Sequence, residues 1–269
     1  MTDLSYTLND PIFGYGLSRG SDSEEFFDDS GRLMVVGGAS TQLNTRDKPE
    51  LLRPTTDIDF IRSKPTTRTQ KKIWAGNLAK KIDGERYTVM GGLSRYGAEV
   101  RFTNSHPDFI LHLDCYSPNF FNIHNRRIEG EFERAEMVEI DKKPVRYHSP
   151  MDVIINKIRR VRCLERAKLV TLSPNQKHFL NLVSDAQFDD IDTSDLEGNL
   201  ETVLKVRSQT VEDLGRYGYQ QIIQEVENYK ITKDLCDITS ILGYVRRAKV
   251  TISPQEFRSA LDLALIDVQ

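Results

Sequence analysis

The chain has few cysteines and no pattern among them. Cys115, Cys163 and Cys236 are an odd number, widely spaced and without a CxxC pair. That excludes a disulfide framework and a cysteine zinc site, and points to a reducing compartment, the cytoplasm. No apolar run approaches the ~20 residues that a membrane helix needs, and the acidic, glycine-containing N-terminus lacks a signal-peptide core. The five histidines are scattered, with no HxxxH or HxH, so none is expected to bind metal. Internal repeats and low-complexity tracts are absent too. A chain of 269 residues, 38% hydrophobic and 29% charged, is then a soluble globular protein with a substantial core in one large or two small domains.

The most informative feature is the pair of segments Leu33-Met-Val-Val-Gly37-Gly38-Ala-Ser40 and Arg53-Pro-Thr-Thr-Asp57-Ile-Asp59-Phe60. The first reads as a buried strand running into a tight glycine turn, the second as a strand. Side chains alternate along a strand, so Asp57 and Asp59 share one face while Ile58 and Phe60 share the other. Two acids on one face repel each other unless a cation intervenes. Mg²⁺ suits such a pair, because it binds through one or two carboxylates plus substrate phosphates. An isolated DxD is more often a solvated pair on an edge strand; the glycine pair upstream shifts the balance.

A third acid follows. In Phe109-Ile-Leu-His-Leu-Asp114-Cys-Tyr116, Phe109, Leu111, Leu113 and Cys115 alternate with Ile110, His112, Asp114 and Tyr116. If the two acidic strands are neighbours, three carboxylates converge, as a two-metal phosphoryl-transfer site requires.

These segments, with Ser149-Pro-Met-Asp152-Val-Ile-Ile-Asn-Lys157, resemble the DNA polymerase β-type nucleotidyltransferase superfamily, and within it the AbiEii-like toxins of abortive-infection toxin–antitoxin systems. The resemblance spans roughly residues 31 to 160. The stretch between Gly38 and Asp57 is longer than in the compact motif, and the hydroxyl is Ser40 rather than the residue directly after the first glycine. The resemblance implies a metal-dependent transfer of a nucleoside monophosphate from an NTP to an acceptor hydroxyl. Asp57, Asp59 and Asp114 are the expected metal-holding and catalytic residues, with Mg²⁺ as the ion and Mn²⁺ as its substitute. Gly37, Gly38 and Ser40 are expected to cradle phosphate. Arg53 either neutralises phosphate or pairs with a strand carboxylate. The expected acceptor is RNA or tRNA, the expected partner a cognate antitoxin protein. A further Asp is implied downstream: Asp190, which is preferred, or Asp234 and Asp237.

Lys157 lies in an apolar helical stripe formed by Val153, Ile154, Val161 and Leu164. Its ammonium either snorkels to solvent or, as the resemblance implies, meets nucleotide phosphate.

Charge is locally uneven despite a net value of −3. Asp22, Glu24, Glu25, Asp28 and Asp29 mark residues 1–30 as an acidic N-terminal extension. Arg62 to Lys81 and Lys142 to Lys168 are basic and suit triphosphate or an RNA backbone, although Lys71, Lys72, Lys80 and Lys81 read as a solvated helix face. Short strand-like runs fill residues 31–148 (Tyr87 to Met90, Ala98 to Thr103, Phe109 to Tyr116, Met137 to Ile140), with one helix near 66–83. From 149 to 269 the pattern is helical, with starts at Ser149-Pro150, Ser173-Pro174 and Ser253-Pro254 and helices over 200–213, 219–229 and 233–246. The expected fold is α/β in the α+β sense, a mixed-sheet nucleotidyltransferase domain followed by a helical domain.

Two rivals compete. A glycosyltransferase also uses DxD, but the roughly fifty residues before Asp57 are too few for its βαβ half. A non-catalytic nucleotidyltransferase-like module that binds RNA or a partner is the stronger rival, though it would tolerate loss of carboxylates that are all present here.

Overall fold

A computed structural model of the chain describes residues 6–266 except 28, 49–51, 84–86, 94–96, 104–108 and 115–117; side chains of 118–123, 196 and 197 are also not described. Cys115, Tyr116 and Asp28 therefore lie outside the described residues. The chain divides into two compact units, Met1–Arg46 with Leu52–Ser149, and Pro150–Gln269 with Asp47–Leu51.

The first unit is built on a mixed seven-stranded sheet: β1 (Leu33–Val36), β2 (Asp57–Arg62), β3 (Val89–Leu93), β4 (Gly97–Phe102), β5 (Ile110–Asp114), β6 (Glu136–Ile140) and β7 (Lys143–Tyr147). Its order is β3-β4-β5-β2-β1-β7-β6. The central strand β2 runs antiparallel to β1 and parallel to β5. Alternation places Leu33, Val35, Ile58, Phe60, Leu111 and Leu113 on one face, where they form the main core with helices α1 (Pro11–Ser21), α2 (Gly37–Asn44) and α3 (Arg68–Asp83). Trp74 of α3 is fully buried there, and its indole N–H donates to Ser23 Oγ at 2.6 Å. The opposite face carries Met34, Val36 and Ile61, packed by Ile128 and Phe132 of α4 (Pro118–Glu133).

Helix α1 lies in the acidic segment and was not legible as a helix. Its sequence PIFGYGLSRGS contains three glycines, each costing ~1 kcal/mol of helix propensity. Ile12, Phe13 and Leu17 recover more, at roughly 1.5–3 kcal/mol per buried side chain. The glycines also permit close approach: a Cβ at Gly20 would overlap the Phe60 ring. Ile12, Phe13, Leu17 and Phe27 are thus part of the core of this unit.

The acidic stretch after α1 meets the basic residues from further along the chain. Asp22 bonds Lys81 at 3.0 Å and Lys143 at 3.1 Å, Glu25 bonds Lys81 at 2.8 Å, and Glu24 bonds Arg146 at 3.1 Å. Asp29 pairs with the buried Arg62. Several of the side chains that read as a basic phosphate-binding surface are consumed by these pairs.

The second unit is helical: α5 (Pro150–Arg166), α6 (Pro174–Ser184), α7 (Leu196–Tyr217), α8 (Ile223–Ala248) and α9 (Pro254–Leu265). The serine start signals are visible as caps. Ser173 and Gln176 form a capping box, and Ser253 Oγ accepts from the Glu256 amide. Asp195 caps α7 by accepting from the Gly198 amide at 3.0 Å. The stretches 219–229 and 233–246, expected as two helices, belong largely to the single helix α8. The β-branched pair Ile231-Thr232 weakens local propensity, but Ile231 is buried in the core with Ile238, Ile241 and Leu242, and that packing carries the helix through.

Candidate metal centre

The face of the sheet that carries Met34, Val36 and Ile61 also carries the acids. Strands β2 and β5 pair in parallel with Asp59 opposite His112 and Ile61 opposite Asp114. Asp57 and Asp59 therefore share this face with His112 and Asp114. Helix α4 covers the Ile61 end with Ile128 and Phe132.

Asp59, His112 and Asp114 each point a ligand atom into a common space, all within 4.8 Å of one another. His112 Nδ1 stands 3.3 Å from Asp59 Oδ1 and 3.2 Å from Asp114 Oδ1. Asp57 is fixed separately, its Oδ1 accepting from Thr55 Oγ1 at 2.8 Å. The Asp114 carboxyl is pushed up to about 6, first by desolvation and then by the Asp59 charge; Asp57 adds to this, while His112 and Lys71 oppose it. Burial works to lower the His112 imidazole, but the Asp59 hydrogen bond and the charges of Asp114, Asp59 and Glu99 outweigh it, so the ring is held above its usual range. A half-buried face on which the Asp59 and Asp114 carboxylates repel each other has the electrostatics of a cation site. Two carboxylates and an imidazole are a donor set that fits a divalent metal.

The glycine pair closes the site on the β1 side. It does not form a plain turn: Gly37 begins α2 directly after β1. Its φ of +65° is left-handed, and a Cβ there would sit 2.9 Å from Asp59 Oδ2. No side-chain hydrogen bond caps this helix start, and the residue before it, Val36, pairs with Asp59. A Cβ on Gly38 would stand 2.8 Å from Arg53 Nη2. Arg53 is buried, its Nη1 donating to the Pro54 carbonyl at 3.0 Å.

Three expected site residues are placed otherwise. Ser40 is fully buried, and its hydroxyl donates to the His148 carbonyl at 3.3 Å, which ties α2 to the end of β7 instead of facing phosphate. Lys157 neither snorkels nor presents a free ammonium: inside the helical unit it bonds Asp237 at 2.6 Å and Asp234 at 3.1 Å, and it is 5% exposed. Arg160 joins this group through a two-pronged bond to Asp234. Burial alone would raise the Asp234 carboxyl, but the charges of Arg160 and Lys157 hold it below its usual value. The downstream acids Asp234 and Asp237 thus serve a buried ion cluster between α5 and α8. Asp190 is exposed at the end of a one-turn 3-10 segment, Phe188–Asp190.

Two residues of the site were missed. His112 belongs to no histidine motif, yet its place two residues before Asp114 in an alternating strand put it on the acidic face. Lys71, read as a solvated helix residue, is near enough for its charge to stabilise the ionised Asp114.

No helix among the described residues is long and apolar enough to cross a membrane. No family model and no curated protein matches the sequence. The crystal structure of an antigenic nucleotidyltransferase-like protein from Paracoccidioides brasiliensis is similar at 16% identity and a TM-score of 0.36, over 58% of this chain and 67% of that one. That likeness is too slight to argue from.

Proposed function

We propose that this chain is a metal-dependent nucleotidyltransferase that moves a nucleoside monophosphate from an NTP to an acceptor hydroxyl. The observation that carries the proposal is the meeting of Asp59, His112 and Asp114 on adjacent parallel strands, with Gly37 against Asp59 at the uncapped start of α2. In this reading Asp57, Asp59 and Asp114 hold the ion, with Thr55 orienting Asp57. The absence of side chains at Gly37 and Gly38 lets backbone amides approach phosphate oxygens. Lys71 supplies positive charge at the Asp114 side. A bound Mg²⁺ or Mn²⁺ would supply Lewis acidity toward the phosphoryl oxygens and the attacking hydroxyl. The acceptor oxygen forms a bond to the α-phosphorus, pyrophosphate leaves with the electron pair of the broken P–O bond, and the hydroxyl proton is lost to solvent or a site carboxylate. Ser40, Lys157 and Asp190 take no part.

An RNA or tRNA acceptor, a toxin role with a cognate antitoxin, and a cytoplasmic setting are finer parts of the proposal, supported by the resemblance of residues 31–160 alone. The test is incubation of the purified chain with total RNA and each α-labelled NTP in turn. Label should appear in RNA with wild type and vanish with Asp59→Asn. Metal-dependent NTP binding without transfer to RNA, protein or small-molecule hydroxyls would favour the non-catalytic module instead.

A further inference from the structure

We propose that His112 is a direct metal ligand and that it turns the Asp59–His112–Asp114 position toward a first-row transition ion, with Mn²⁺ preferred to Mg²⁺. The inference rests on the metal-site reading above and concerns which ion that site selects.

The geometry argues for direct ligation. Ligands about 2.1 Å from an octahedral ion, at right angles to one another, stand about 3 Å apart. His112 Nδ1 lies 3.3 Å from Asp59 Oδ1 and 3.2 Å from Asp114 Oδ1, so one nitrogen keeps that separation from two carboxylates at once. The ring cannot easily leave this place. His112 is paired on both sides, with Asp59 of β2 and Glu99 of β4, and its side chain is only 16% exposed. Central pairing fixes the direction of the Cβ bond, and partial burial restricts the rotamers of the ring.

The chemistry then sets the preference. Mg²⁺ is a hard ion that takes oxygen ligands and gives up its waters reluctantly. Imidazole nitrogen suits the later first-row ions such as Fe²⁺, Ni²⁺ and Zn²⁺, while carboxylates suit Mn²⁺ as they do Mg²⁺; of the two ions that the carboxylates accept, Mn²⁺ as a transition ion gains more from a nitrogen donor. A site built only from Asp57, Asp59 and Asp114 would have no reason to discriminate in this way. His112 supplies that reason.

The test uses the full chain stripped with EDTA and the two ions themselves as probes. Mn²⁺ is titrated by calorimetry and by continuous-wave EPR, with Mg²⁺ as competitor, for wild type, Asp59→Asn and His112→Asp. Pulsed EPR of the Mn²⁺ complex then looks for coupling to a directly bound ¹⁴N. The expected result is ¹⁴N coupling in wild type, lost in His112→Asp, with a fall of about tenfold or more in the ratio of Mn²⁺ to Mg²⁺ affinity as oxygen replaces nitrogen. Mn²⁺ bound in an Asp59-dependent way but without ¹⁴N coupling in wild type overturns the inference and leaves the metal site standing. That reading needs no variant, so a poorly folded His112→Asp does not blunt it. Absence of any Asp59-dependent binding of either ion overturns the metal site itself, and the inference with it.

Discussion

At Gly37 a single hydrogen atom in place of a side chain leaves room beside the Asp59 carboxylate. The φ of +65° disfavours any L-residue, and the nearest obstacle to a Cβ is an Asp59 oxygen at 2.9 Å. Gly37→Ala should therefore cost ~1–2 kcal/mol of stability from backbone strain and also weaken divalent-ion binding, because the methyl displaces Asp59. Chemical denaturation and metal titration of the one variant check both; unchanged ion affinity would separate Gly37 from the site. Asp114 makes the opposite prediction. Its burial and its repulsion with Asp59 are only partly offset by His112 and Lys71 without metal, so Asp114→Asn should raise the melting temperature of the EDTA-treated protein while lowering its affinity for the ion. A lower melting temperature in EDTA would mean that the His112 contact to Asp114 outweighs the repulsion.

At the scale of elements, the link between α5 and α8 shows how charge can be structural. Lys157 and Arg160 on α5 face Asp234 and Asp237 on α8, whose carboxylates are 0% and 1% exposed. Removing one member of a buried ion cluster costs ~3–5 kcal/mol, because a carboxylate loses its nearest cation without regaining water. Lys157→Met should lose that much in denaturant unfolding, and adding Asp237→Asn should restore part of it. Stability equal to wild type in the single variant would contradict the cluster. The pH dependence follows from Asp234. Its folded carboxyl is held below the ordinary value of 3.8, so it stays ionised in the native state while the unfolded chain takes up the proton first. The resulting stability is present above pH ~4 and is lost as the pH falls through the folded value. Wild type should lose stability below about pH 4 more steeply than Asp234→Asn; parallel curves would sink the assignment. Much of this region was legible. The serine-proline starts of α6 and α9 are visible as caps, and the apolar stripe that holds Lys157 was read from its spacing. The partners of Lys157 were not, since they come about eighty residues later and nothing local announces a long-range pair.

Over the whole molecule, local period was readable and tertiary compensation was not. The period-2 segments around Asp57, Ala98, Phe109 and Met137 are strands β2, β4, β5 and β6, and they put Asp57, Asp59 and Asp114 on one face as alternation requires. Strand β7 was missed although Val145 and Tyr147 alternate inward, because Lys143 and Arg146 made the segment read as a basic cluster. Residues 1–30 were read as an acidic extension from local charge, which shows nothing of the partners of Asp22, Glu24 and Asp29: cations at positions 62, 81, 143 and 146. His112 was not expected as a ligand because a search for histidine motifs does not find one histidine completed by an acid two residues on and another on the neighbouring strand. On the proposed function, this carboxylate face binds nucleotide through a divalent ion. The decisive measurement is calorimetric titration of each NTP into the full chain, with Mn²⁺ or Mg²⁺ and then with EDTA, repeated on Asp59→Asn. NTP should bind wild type only when the ion is present and should not bind Asp59→Asn; undiminished binding in EDTA, or in the variant, would contradict it.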